Sequence, residues 1–309
     1  MYSSQYKSNA TSPLVLGLVT LVLGVFMSIP VMMSASLSLA EKILTPLYII
    51  LISFAATMIA RSIGFFKRNY SITPFLILLT QSIFGYNTGY WQGFLSSALL
   101  LAAFYYTIIV YKHRYHSWNA IDASICVCLA SLFNGYILIL LPVIVTGFAI
   151  YNRLDQHTII ACILGAVMIY GASWGVAFVS GCDCEYLLYL KSIMAWEGLA
   201  ELRILDIISC SLIAVLVIIS YIAFLRTQYK NNSIFVRKTT HFIYLVLLAS
   251  VIIATVFGRT ETITPFICAM LSILFTKHIE NRNSKAEVII LYVITVIIVL
   301  LFIAKNFLF

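Results

Sequence analysis

Apolar runs follow one another along almost the whole chain, and polar residues fall in the short breaks between them. A helix needs roughly 20 mainly apolar residues to cross a hydrocarbon core about 30 Å thick. Taken in order, the runs predict helices near residues 14–34, 44–62, 72–85, 93–111, 120–133, 136–151, 158–179, 205–225, 240–258, 263–276 and 287–304. This is the pattern of an all-α, polytopic helical integral membrane protein with about 11 transmembrane helices, several of them short and paired. No stretch is left for a separate soluble domain, so residues 1–309 read as a single transmembrane domain. The first run, Leu14 to Met33, is too long for a signal-peptide core and is read as a retained helix.

The segment Ile121 to Ile150 admits two readings, one long tilted helix or two short helices meeting at Asn134-Gly135. Charge decides between them. With a hairpin at Asn134-Gly135 and a cytoplasmic N-terminus, fourteen of the nineteen Lys and Arg lie on the cytoplasmic side. They are Lys7, Arg61, Lys67, Arg68, Lys112, Arg114, Arg153, Arg226, Lys230, Arg237, Lys238, Lys277, Arg282 and Lys285. A single span would turn the basic loop 226–238 outward, against the cytoplasmic bias of short basic loops. The predicted location is therefore a bacterial inner membrane, multi-pass, with the N-terminus cytoplasmic.

Composition agrees, with 62% hydrophobic and 10% charged residues and a mean hydropathy of +1.03. Soluble domains carry about 25% charged residues. The net charge of +8 follows from the basic loops and calls for no nucleic acid. Cys126, Cys128, Cys162 and Cys268 lie inside apolar runs, where a thiol acts as a small hydrophobe. Cys182 and Cys184 flank Asp183 too closely to pair with each other without strain, so they read as free or separately paired thiols.

On this topology the segment Ser180 to Asp206 is an outer loop, and it holds five of the chain's eleven acids: Asp183, Glu185, Glu197, Glu201 and Asp206. Leu190, Met194, Glu197 and Glu201 fall at i, i+4, i+7 and i+11. A continuous helix would therefore set two carboxylates on its buried stripe. Two outcomes are open: a break at Gly198 that frees the acids to water, or a polar cavity where they meet a metal or the hydroxyls of a sugar. Asn134 and Gly135 are likewise either a polar site at membrane depth or a tight turn made through positive φ. Asp122 is expected in the first turn of its helix, where it complements the helix dipole. Glu41, next to Lys42 at a helix start, reads first in the same way.

No phosphate-binding glycine loop, HExxH helix, paired CxxC or nucleophile elbow is present. No inverted repeat appears, and ionisable residues deep inside helices are few, which disfavours a transporter of lipids or small solutes.

The series Ile121-Asp-Ala-Ser124, Leu129-Ala-Ser-Leu-Phe133 and Leu138-Ile-Leu-Leu-Pro142, followed by Arg153 and a helix ending near Trp174, resembles a domain of unknown function found in integral inner-membrane proteins of Bacteroidota. The likeness covers roughly residues 70 to 180 and implies no activity. More distantly, Leu129-Ala130-Ser131-Leu132 and Leu140-Leu141-Pro142 resemble the polytopic C-type-fold glycosyltransferases. Those enzymes transfer a sugar from a polyprenyl-phosphate carrier at the outer leaflet. Their adjacent acidic pair in the first outer loop is reduced here to Glu41.

The resemblance implies that a carboxylate from Glu41, Asp183 or Glu185 acts as the base. Arg203 or Arg259 would hold the phosphate, and Glu197, Glu201 and Asn134 would bind substrate. A divalent cation is the one cofactor this chemistry admits. Membrane lipids, a polyprenyl-phosphate-linked sugar and envelope proteins are the expected partners. The alternative from another class is a non-catalytic scaffold or assembly subunit of an envelope complex.

Overall fold

A computed structural model describes residues 39–65, 91–111, 116–194, 218, 221–222, 224–225, 233–256 and 260–281; at several helix ends, Glu41 and Glu261 included, it describes the backbone alone. The described residues form helices and connecting turns, with no strand among them. The helices are α1 (Leu39–Ile63), α2 (Trp91–Ile109), α3 (His116–Ser131), a 3₁₀ turn (Gly135–Ile139), α4 (Leu140–Ile150), α5 (Gln156–Val179), α6 (Asp183–Ile193), α7 (Ile234–Val256) and α8 (Thr260–Asn281). Among the described residues, three segments are long and apolar enough to cross a membrane: Gln92–Ile109, Gln156–Val179 and Ile234–Ala254. Ile50–Ile63, Gly135–Ile150 and Ile263–Lys277 are shorter apolar helices. The helices expected near 14–34, 72–85 and 287–304, and most of the one near 205–225, lie outside the described residues.

The segment 121–150 is not one helix. Helix α3 stops at Ser131, and the chain turns through Leu132 and Phe133 before the 3₁₀ turn leads into α4. Ring contacts fix the directions of the helices. Tyr48 and Phe94 stack at 5.9 Å, so α1 and α2 start at the same end of the bundle. Tyr111 and Tyr151 lie at 6.1 Å and Tyr111 and Phe235 at 4.9 Å, which brings the ends of α2 and α4 together with the start of α7. Lys277 lies over the Phe65 ring, so α8 finishes where α1 does. Helix α4 thus runs back along α3 as the hairpin reading requires. Arg61, Arg153, Arg237, Lys238 and Lys277 consequently share one end of the bundle, called here the basic end.

Helix α3 packs between α2 and α5, while α1 packs on α2 and α8. Small residues set the α3–α5 seam. Ser124 Oγ donates to the Cys162 carbonyl at 2.6 Å, and a Cβ on Gly165 would lie 2.9 Å from the Ile121 carbonyl oxygen and from Ser124. Close approach of this kind drives helix association where lipid removes the hydrophobic contribution. The buried hydroxyls of Thr57, Thr107, Thr240, Ser272 and Thr276 bond to the preceding turn of their own helix.

Helix ends follow local chemistry. Asp155 caps α5 by accepting from the Thr158 N–H at 2.7 Å. Helices α1, α4 and α5 each end on a left-handed residue, Gly64 (φ 78), Asn152 (φ 58) and Gly181 (φ 70), with the next N–H bonded back to a carbonyl five residues earlier. Helix α3 begins at His116, four residues before the apolar run, so Asp122 stands in its second turn and not its first. Cys128, Cys162 and Cys268 are buried and Cys126 is half-buried, and none of the four is in a disulfide.

Candidate functional site

Two features of the end opposite the basic one bear on function: a short helix closing the α3–α4 break, and an apolar groove between α1 and α2.

The break is built around Asn134. Its side chain is buried, and its Oδ1 accepts from the Tyr136 N–H at 3.2 Å while its carbonyl accepts from the Ile137 N–H at 3.0 Å. Asn134 itself is extended, at φ −150, and neither it nor Gly135 adopts positive φ. The turn is therefore made by an Asn cap on a 3₁₀ turn, not by left-handed backbone. Gly135 is needed for another reason, since a Cβ there would stand 2.7 Å from Met194 Cγ and 3.3 Å from the Ile193 carbonyl oxygen.

Met194 and Ile193 belong to the end of α6, which lies over this break. Tyrosine hydroxyls hold α6 in place at three successive points. Tyr186 OH pairs with Ser173 Oγ of α5, Tyr189 OH donates to the Leu132 carbonyl just past α3, and Tyr136 OH from the 3₁₀ turn donates to the Met194 carbonyl at 2.6 Å. A fourth pair, Ser131 Oγ with Tyr170 OH at 2.6 Å, ties α3 to α5 below. Along α6 the anchors meet α5 at Ser173, the chain just past α3 and the 3₁₀ turn in succession, so α6 crosses the break as a strap. They also satisfy backbone groups that a broken helix leaves bare, the condition for irregular backbone at membrane depth.

Tyr189→Phe removes the donor to Leu132 and is expected to cost about 1 kcal/mol. Hydrogen exchange should then quicken in the α6 amides while α3 and α5 keep their protection. Equal loosening of all three would mean that α6 is not a separable strap.

Asp183 and Glu185 sit in the first turn of α6, half-buried and exposed respectively, where they complement the helix dipole. Helix α6 ends at Ile193 with Met194 as its C-cap, so the continuous helix that would align Leu190 and Met194 with Glu197 and Glu201 does not form. Glu197, Glu201, Arg203 and Arg259 lie outside the described residues. Cys182 and Cys184 are exposed free thiols. Among the described residues no group of three or more His, Cys, Asp or Glu is placed to hold a metal ion.

The groove between α1 and α2 has a volume of about 220 Å³ and is lined by Tyr48, Leu51, Ile52, Ala55, Phe94, Leu95 and Ala98. Tyr48, Ile52 and Ala55 form a stripe at i, i+4 and i+7. Glu41, in the first turn of α1, falls seven residues before Tyr48 and so heads that stripe. The groove is not legible in the sequence, because its α2 wall comes from an element about 45 residues further along the chain.

The described elements that carry Glu41, Asp183 and Glu185 lie on different flanks of the bundle. Glu41 belongs to α1, on the α2–α8 flank, whereas Asp183 and Glu185 belong to α6, on the α5 flank. Asn134 is separated from Asp183 by the length of α6, 11 residues or about 16 Å. No family model, curated protein or solved structure matches the chain.

Proposed function

We propose that this chain is a polytopic inner-membrane protein of about 11 helices that acts on a lipid-linked sugar at the outer leaflet, in the manner of the C-type-fold glycosyltransferases or as an inactive relative. The observation that carries the reading is the apolar groove between α1 and α2, which suits a lipid chain, with Glu41 at the head of its α1 wall. The gathering of Arg61, Arg153, Arg237, Lys238 and Lys277 at the far end supports a cytoplasmic basic end, which sets the groove mouth and α6 outside.

In this reaction an acceptor hydroxyl attacks the anomeric carbon of the sugar. The bond from that carbon to the polyprenyl-phosphate oxygen breaks and the phosphate leaves with the electron pair. Glu41 takes the proton of the attacking hydroxyl, and an outer arginine, Arg203 or Arg259, holds the departing phosphate. The apolar groove beside the α1 stripe that begins with Glu41 favours Glu41 as the base over Asp183 and Glu185.

Single replacement of Glu41, Asp183 and Glu185 by Ala tests this, read in the glycan and glycolipid profile of the cell envelope. Loss of a general base is worth about 10²- to 10⁴-fold in rate, so Glu41→Ala should abolish the product while the other two variants retain it. Unchanged profiles in all three, with the deletion phenotype still rescued, would remove the enzyme reading.

One observation favours the second reading, a scaffold or assembly subunit. Only 17% of the span Gln156–Val179 is buried within the chain, and no described residue lies within 4 Å of a Cβ placed on Gly171 or Gly175.

A further inference from the structure

Helix α3 has 16 residues, which at about 1.5 Å each span roughly 24 Å, short of a hydrocarbon core of about 30 Å. Its neighbour α5 has 24 residues, roughly 36 Å. The two start level at the basic end, as the Ser124–Cys162 and Ser131–Tyr170 bonds show, so α5 overhangs the α3–α4 break by about 12 Å. Helix α6 fills that step. For a hydrocarbon core about 30 Å thick that begins at the basic end, this step falls where acyl chains give way to headgroups.

The side chains of α6 fit this depth. Tyr186, Leu190 and Ile193 turn toward the bundle, half-buried or buried. Leu187 and Leu188 turn away from it and are 59% and 67% exposed. On the overhang of α5, Val176, Phe178 and Val179 are also exposed. Lys191 on the outer side of α6 can run its stem along apolar surface and keep its ammonium at headgroup phosphates.

We propose that α6 is an interfacial helix of the membrane, with Leu187 and Leu188 inserted at the outer boundary between acyl chains and headgroups and Asp183 and Glu185 at headgroup level. The acidic segment is then a membrane-surface strap, and its exposed leucines are a lipid-binding surface. The proposal rests on the chain crossing a membrane and does not depend on glycosyl transfer.

Nitroxide accessibility tests it in the full chain reconstituted into phosphatidylcholine vesicles, with the other reactive cysteines, Cys182 and Cys184 included, replaced by serine. Labels are placed one at a time by Leu187→Cys, Leu188→Cys, Glu185→Cys and Val167→Cys, the last on the exposed middle of α5. Oxygen should outcompete a water-soluble nickel chelate at 167 and, by a smaller margin, at 187 and 188, with the reverse order at 185. Chelate dominance at 187 and 188 with oxygen dominance at 167 would overturn the strap and leave the membrane reading intact. Shielding of 187 and 188 from both reagents would mean that protein covers α6, which also overturns the proposal. Chelate dominance at 167 as well would overturn both.

Discussion

Alanine in place of Phe242 is expected to destabilise the chain by about 3 kcal/mol, at the low end of the range for losing a buried aromatic ring. The ring is fully buried where α2, α4 and α7 meet. It stacks on Phe104 at 5.6 Å with the planes 4° apart, and meets Tyr151 edge-on at 6.2 Å. Tyr151 in turn donates to Thr239 Oγ1 at 3.0 Å, so the cluster links the basic ends of three helices. Space for the ring exists because residue 147 is glycine, whose absent Cβ would stand 2.5 Å from the Phe242 ring and 2.8 Å from Thr107 Cγ2.

The low end of the range applies because an unfolded membrane chain still surrounds its apolar groups with lipid, so the loss is mainly of packing contacts. Equilibrium unfolding in mixed micelles measures it. Gly147→Ala alone should also destabilise, by about 1–3 kcal/mol from overpacking, and should cost less in a Phe242→Leu background. Strict additivity of the two changes would show that glycine and ring do not share one space.

The elements legible in the sequence were those whose buried or lipid-facing length matches their helical length. The end of α2, the ends of α5 and the break at Asn134-Gly135 fall within a few residues of expectation, because capping and breaking residues stand where apolarity stops. Helices α3 and α7 start earlier than expected, at His116 and Ile234, because hydrogen bonding carries the helix into polar turns. Arg237 and Lys238 sit inside α7 and not in a loop before it. The acidic segment hid α6 altogether. Asp183-Cys-Glu reads as a polar loop, while the bonds that fix the helix join Tyr189 to Leu132 and Tyr136 to Met194, 57 and 58 residues apart in sequence. A still longer separation in sequence concealed that Glu41 and the pair Asp183 and Glu185 stand on different flanks.

The last contrast separates the catalytic from the scaffold reading, and it lies within one helix. Gly165→Val should be severely destabilising, because its Cβ would meet the Ile121 carbonyl oxygen at 2.9 Å and a backbone atom cannot swing aside as a side-chain tip can. The seam must open, and the Ser124 to Cys162 bond at 2.6 Å opens with it. For Gly171→Val, no described atom lies within 4 Å of the added Cβ. A glycine inside a helix costs about 1 kcal/mol relative to alanine, so an isolated chain gains or loses little from the change.

Gly165 is thus accounted for by packing within the chain, and Gly171 and Gly175 are not. If α5 faces only lipid, the Gly171→Val protein keeps its stability and its phenotype, as the enzyme reading expects. If α5 is the seat of a partner helix, the isolated protein stays stable while the function in cells is lost, since two helices that approach through glycines cannot tolerate a branched side chain between them. Unfolding of the purified variant and complementation of a deletion strain, measured together, decide between the two.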